Sequence, residues 1–390
     1  MSGSVSAQQM SPAAQNQAAR NAIFTAAKPI LQQIAGTKTF ATVAAGANTL
    51  SINPLQVGFL RSFYVEVVGT ITNTGTGTLT LTPNGADNLI SNVTFNDFTG
   101  NPRHNCSGRS LSYVEAAKYR RIPGAAVTSD SVSGFGSIIA SNVAPSTVAN
   151  AGTATVRRIF EVPIMVDNGR NMAGGLWLGV NNQSTLLNIT LNTAAVTATS
   201  ADPLLAVYQG ASGTLTNVTV TVYQEYWNNV PVYQSGPMAG QPMLPTQDLS
   251  TAYMITETNT GLTFSAGNTA YWNYPTFSKI LGTYFTYDNN LALNAGTDIN
   301  SISLQVSNYT IIRQFDPYTL DRIARNVCTA SYPKGTYPIF SRMHNLDVSQ
   351  YPSLQLAINP STATNAYGLV TTELLRPVQY MASASGVGGA

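Results

Sequence analysis

Charge is what this sequence has least of. Lys, Arg, Asp and Glu together supply 9% of the 390 residues, against about 25% in an average soluble domain. The net charge is +2 with no acidic or basic run, so there is no case for a groove of clustered Lys and Arg, and no sequence-specific nucleic-acid partner is expected. Histidine is limited to His104 and His344, both in loop-like contexts, which leaves little for a Ser/His/Asp triad. Cysteine stops at Cys106 and Cys328; they fall in different halves of the chain and are expected to be free structural thiols. No window approaches the roughly 18 apolar residues of a membrane span, and the start, MSGSVSAQQM, has no basic segment leading into an apolar core. Synthesis in the cytosol is therefore expected, and no membrane-spanning segment. The patterns HExxH, CxxC, GxGxxG and GxxxxGK[ST] are all missing. Glu115, Glu161, Glu225, Glu257 and Glu373 are scattered, with no partner that would make a glycosidase pair. Asp288, Asn289, Asn290 and Asp298 bracket a turn, but their spacing is not that of an EF-hand loop. No catalytic residue, cofactor or metal ligand is assigned, and an enzyme is not expected.

What is there is neutral and hydrogen-bonding. Hydrophobic residues make up 44%, enough for real cores, while Gly, Ser, Thr and Asn take the place of charge. Burying such a surface carries a smaller desolvation cost than burying charges, which suits a chain that packs against copies of itself. Val218, Val220 and Val222 alternate with Thr219, Thr221 and Tyr223, the two-residue period of a half-buried strand. Pro231, Pro237, Pro242 and Pro245 follow and forbid a helix or central strand there. Strand-like segments flank this seam: 59–73, 78–83, 92–98, 153–166, 186–192 and 218–227 before it, and 253–257, 262–265, 278–287, 302–306, 336–341 and 354–358 after it. Each half carries one helix, at 110–121 and at 316–327, the latter with Asp316 as N-cap and Pro317 first inside. The pattern predicts an all-β chain of two sandwich or jelly-roll units in tandem. The expected divisions are an N-terminal helical arm (1–40), a first unit (41–235), a linker (236–247), a second unit (248–380) and a flexible tail (381–390).

The arm begins with Ser11 as N-cap and Pro12 at the first helical position, followed by an Ala/Gln-rich run. The helix is expected to kink at Pro29 and stop near Gly36. Ile23, Ala27, Ile30 and Ile34 are spaced four, three and four apart and would form one stripe, with Phe24 and Leu31 beside it. No acidic residue precedes Glu66, whereas Arg20, Lys28, Lys38 and Arg61 do, so this end is locally positive. Two readings follow: a helix docked on its own domain, or an arm reaching a neighbouring subunit or an anionic lipid surface. Tyr271, Trp272, Tyr274, Tyr284, Phe285 and Tyr287 open a further alternative, a sugar-stacking platform of a lectin or surface adhesin, against which stands their commoner use as core and interface residues.

Several segments then resemble the double jelly-roll major capsid proteins of tectiviruses. They are VGFLRSF (57–63), ITN (71–73), PRHNCSG (102–108), AAK (116–118), ADPLLAVYQG (201–210), TVYQEYWNNVPV (221–232), DLSTAY (248–253), NAGTDIN (294–300), DPYTLDRIAR (316–325) and YPKGTYPIF (332–340), in the same order over roughly residues 57 to 360. The resemblance implies two eight-stranded jelly rolls, a homotrimer with a pseudo-hexagonal outline, and an icosahedral bacteriophage capsid around an internal membrane. Neighbouring capsomers and vertex or minor capsid proteins would be the other partners. It also implies that the arm lies at the base of the shell, with Arg20, Ile23, Phe24, Lys28, Ile30, Leu31 and Ile34 as membrane or inter-capsomer contacts.

Overall fold

The computed structural model describes residues 11–377 apart from 35–36, 44–47, 83–84, 99, 101, 120–142, 167–171, 180–184, 194, 198–205, 237, 247–251, 260–261, 277, 290–291, 294–296, 307–309, 321, 323–334 and 364–365. Its first barrel is organised by two long antiparallel strands, Phe59–Asn73 and Gly213–Asn228, paired from Gly213 opposite Asn73 to Trp227 opposite Phe59 with register shifts at Thr216/Thr219 and Glu225/Tyr226. From Phe63 onward the first of these alternates buried and half-buried residues without a break, as a strand with one face on a core must. Asn217, at φ 50°, supplies the bulge that shifts the pairing between Thr216 and Thr219. Thr153–Pro163 adds on one side of this pair, and Lys28–Gln33 and Lys38–Thr42 form the edge on the other. The opposing sheet runs Thr49–Ile52, Leu186–Leu191, Ile90–Asn96, Pro102–Cys106. Phe63 and Phe95 meet edge-to-face between the two sheets, 5.2 Å apart.

The second barrel pairs a sheet of Ala252–Asn259, Tyr367–Pro377, Lys279–Asn289 and Thr336–Asp347 with a sheet of Ala270–Asn273, Leu354–Pro360, Ile299–Val306 and Thr310–Phe315. Its core gathers Ile280, Phe285, Tyr287, Ile302, Leu304, Leu356, Val370 and Leu374. The barrels are not merely tethered. Pro102–Cys106 runs parallel to Ala252–Asn259, with His104 opposite Thr256 and Asn105 opposite Glu257, so one nine-stranded sheet crosses from one barrel into the other. The helix α2 (Gly108–Tyr119) lies against this crossing.

The arm departs from expectation. The helix α1 (Pro12–Ala26) stops at Ala27, whose ψ of 148° is already extended, and the chain becomes the edge strand Lys28–Gln33. Pro29 therefore ends the helix instead of kinking it. The residue before a proline is pushed out of the helical region, and the unpaired edge of Gly213–Asn228 offers hydrogen bonds that a continued helix would forgo. Ile30 and Ile34 thus never join Ile23 in one helical stripe. Two histidine contexts also change: His104 lies within the strand Pro102–Cys106, and His344 within Thr336–Asp347, rather than in loops. Residues 262–265 form no strand. The proline-rich linker folds back on itself, with Val232 bridged to Pro242 and the Met243 amide donating to the Pro231 carbonyl at 2.7 Å. The second helix opens at Pro317, where Asp316 accepts from the amides of Tyr318 and Thr319; positions 323–327 of that expected helix, and Cys328, lie outside the described residues.

Candidate functional site: the docked arm and the seam between barrels

The Ser11 hydroxyl caps α1 by accepting from the Ala14 amide at 3.3 Å. One face of the helix is buried through Ala19 and Ile23, and Ile23 packs into an apolar group of Phe59, Met165, Met172 and Trp227. Phe24, beside it, places its ring edge on Trp227 with centroids 5.8 Å apart, yet remains 49% exposed. The approach of the two long strands beneath depends on Gly58. It sits at φ +63°, and a Cβ there would lie 2.3 Å from the Trp227 carbonyl oxygen.

The predicted arm contacts separate into two sets. Ile23 is fully buried on its own barrel, while Ile30 and Ile34 are half-buried, with Ile34 against the first core. Phe24, Lys28 and Leu31 are exposed, Leu31 by 60%. Arg20 is half-buried and engaged in interactions of its own. The local positive charge is smaller than the sequence implied, because Arg61 Nη1 donates to Glu225 Oε1 at 2.5 Å while Ser62 and Tyr64 donate to the other oxygen. Lys38 stands 5.7 Å over the Phe40 ring.

The seam is built from hydroxyls. Ser110 of α2 is 2.6 Å from Thr258 and 2.7 Å from Thr371 in the second barrel, and the Tyr113 hydroxyl reaches Thr336 and Thr286 at 3.1 and 3.3 Å. Between α2 and the first barrel lies a set of largely buried ions. Arg158 donates from Nε to Asp87 at 2.7 Å and from Nη2 to Ser112 at 2.7 Å and Glu115 at 3.2 Å. Burial alone would lower the Arg158 pKa, but Asp87 and Glu115 reverse the sign and hold it raised. Glu115 is itself raised, because burial outweighs the attraction of Arg158. Lys118 pairs with Glu161 and Arg103 with Asp97, each at 2.7 Å and nearly inaccessible to solvent. Nothing in the sequence marks this cluster: Asp87, Glu115 and Arg158 share no spacing, and only the fold assembles them.

The aromatic platform does not form. Tyr274, Tyr284, Phe285 and Tyr287 are buried, Trp272 packs partly against the second core, and only Tyr271 is substantially exposed. His104 is fully buried with its Nε2 at 2.6 Å from the Pro163 carbonyl. Cys106 is a free, buried thiol whose pKa burial pushes up.

Comparison with known proteins agrees with this architecture. The family model for the P3 major capsid protein N-terminal part matches residues 4–230, and that for its C-terminal part matches residues 250–387. The major capsid protein P3 of Enterobacteria phage PRD1 is 31% identical over 357 residues, covering 90% of this chain and 87% of that protein. Among solved structures, the major capsid protein of Sulfolobus turreted icosahedral virus superposes with a TM-score of 0.63 at 14% identity, over 92% of this chain and all of that one. VP54 of the virus PBCV-1 gives 0.54 at 11% identity, over 90% of this chain and 94% of that one. With matching models over both halves and a relative alike across most of its length, the double jelly-roll chain belongs to the P3 major capsid protein family of tectiviruses, a structural and non-enzymatic component of the virion capsid.

Proposed function

We propose that three copies of this chain close into a capsomer with a pseudo-hexagonal outline and that such capsomers tile an icosahedral shell around an internal membrane. The observation that carries this reading is the shared nine-stranded sheet clamped by α2. It fixes two similar barrels side by side, so a threefold ring presents six of them in a set geometry. The low charge content favours burial of the large flanks that a permanent assembly needs, typically above about 2,000 Å². The residue ranges 41–235 and 248–380 are taken as the two barrels, joined by 236–247, with 1–40 as the arm and 381–390 as the tail.

Within the arm the exposed set, Phe24, Lys28 and Leu31, with Arg20, faces neighbouring capsomers or the membrane surface. Ile23, Ile30 and Ile34 hold the arm to its own barrel so that the others are presented. Vertex or minor capsid proteins are the remaining partners. Negative-stain microscopy of the purified protein tests the core of the proposal: threefold particles with a hexagonal silhouette are expected, and a monomer at micromolar concentration defeats it. Deleting residues 1–27, which spares the edge strand, is expected to leave trimers intact and to impair their packing into shells. Loss of trimers in that variant would put α1 in the trimer core instead. Replacing Arg20 and Lys28 by Glu is expected to weaken binding to anionic vesicles, and unchanged binding would remove lipid as a partner of the arm.

A further inference from the structure

At the parallel junction between the barrels, two paired residues each carry a buried polar atom with no protein partner. His104 Nδ1 and Thr256 Oγ1 are both without a hydrogen bond, in residues that are 0% exposed. They are register partners on adjacent strands, so their side chains stand on the same face of the sheet, with the strands about 4.8 Å apart. The Pro163 carbonyl can only accept, so the 2.6 Å contact requires His104 Nε2 to carry the proton. That leaves Nδ1 as a bare acceptor in the neutral ring.

Three charged side chains near the pair have partners elsewhere. Arg103 and Lys118 both act electrostatically on His104, but Arg103 is bonded to Asp97 and Lys118 to Glu161. Glu373, the next residue in the row beyond Thr256, turns away: its Oε2 lies 2.7 Å from where a Gly282 Cβ would be, and it accepts from the Tyr284 hydroxyl at 3.5 Å. The short Thr256 side chain is therefore flanked by two long ones, neither of which bonds its hydroxyl.

We propose that the seam between the barrels holds one bound water molecule, bridging His104 Nδ1 and Thr256 Oγ1. The water donates to the ring nitrogen and accepts from the threonine hydroxyl, satisfying both buried groups at once. The bridge ties a strand of the first barrel to a strand of the second by side chains as well as by backbone.

Thr256→Val removes the hydroxyl at nearly constant shape. With the bridge present, the valine variant melts lower by roughly 2 °C or more, and Thr256→Ser, which keeps the hydroxyl, melts closer to the wild type. A valine variant that melts at the wild-type temperature or above it overturns the proposal, because an unbridged buried hydroxyl is better removed. A crystal structure of the full chain gives an independent reading. A water peak within about 3.2 Å of both atoms is expected, and a well-ordered seam with no such peak overturns the assignment.

Discussion

Phe59 stacks on Trp227 with ring centroids 5.9 Å apart and planes 9° from parallel, and this pair is the bearing on which the arm rests. The two residues face each other at the end of the two longest strands, so the central sheet of the first barrel also positions α1. A 15-residue helix is marginal by itself in water. Ile23→Ala is expected to weaken its docking by about 2–4 kcal/mol, seen as faster amide exchange over residues 12–26 with little change in the barrels. Loss of protection throughout the first barrel would mean that α1 is part of the core folding unit.

Gly58→Ala is expected to be more damaging than its size suggests. The residue would carry a side chain at positive φ and press it against the Trp227 carbonyl, so a loss above about 2 kcal/mol is expected in urea titrations. A variant with an unchanged midpoint would show that the strand can retreat from Trp227 without cost.

Arg158 neutralises two carboxylates, Glu115 on α2 and Asp87 beneath it. Arg158→Met leaves Asp87 and Glu115 without their cation, and a cost of about 3–5 kcal/mol is expected. Combining it with Asp87→Asn and Glu115→Gln is expected to recover part of that loss, since the removed partner and not the net worth of the ion set dominates the single variant. Additive losses in the triple variant would contradict this.

Acid should loosen the protein through His104. Burial is the main cause that lowers its pKa to about 4 from the ordinary 6.5, with Arg103 and Lys118 adding to it against the opposing bond to Pro163. The unfolded chain therefore takes up the proton first. The contribution of the neutral ring is fully present above pH 6.5 and is lost as pH falls from there to about 4, worth about 3 kcal/mol in all. Glu115, raised by burial, acts in the opposite sense, weakening the fold as pH rises through the carboxylate range. His104→Gln keeps a donor for Pro163 and cannot titrate in this range, so its urea midpoint should fall less than that of the wild type between pH 7 and pH 5. Equal falls would assign the acid sensitivity to another group.

The strand pattern was legible wherever one face meets a core. Val218 to Tyr223 and residues 59–73 advertise their alternation, and Asp316-Pro317 advertises a helix start that the backbone confirms. The edge strands were not, because an edge residue answers to a neighbour far away in sequence: Lys28–Gln33 reads as a continuing helix until the open side of Gly213–Asn228 is placed beside it. Tyr367–Pro377 carries no clear strand signal for a related reason. Its Thr371 and Glu373 face α2 while Val370 and Leu374 face the second core, so both sides are buried and polarity does not alternate simply. The seam was invisible for the same cause, since no local rule announces that Ser110, Thr258 and Thr371 will meet.

The sheet that passes between barrels removes the joint that a two-part chain usually has. Heat or mechanical load on one half must be transmitted through backbone pairing to the other, so the subunit should yield as a single block, and a shell assembled from such blocks would take up curvature at the contacts between subunits and not by bending within them.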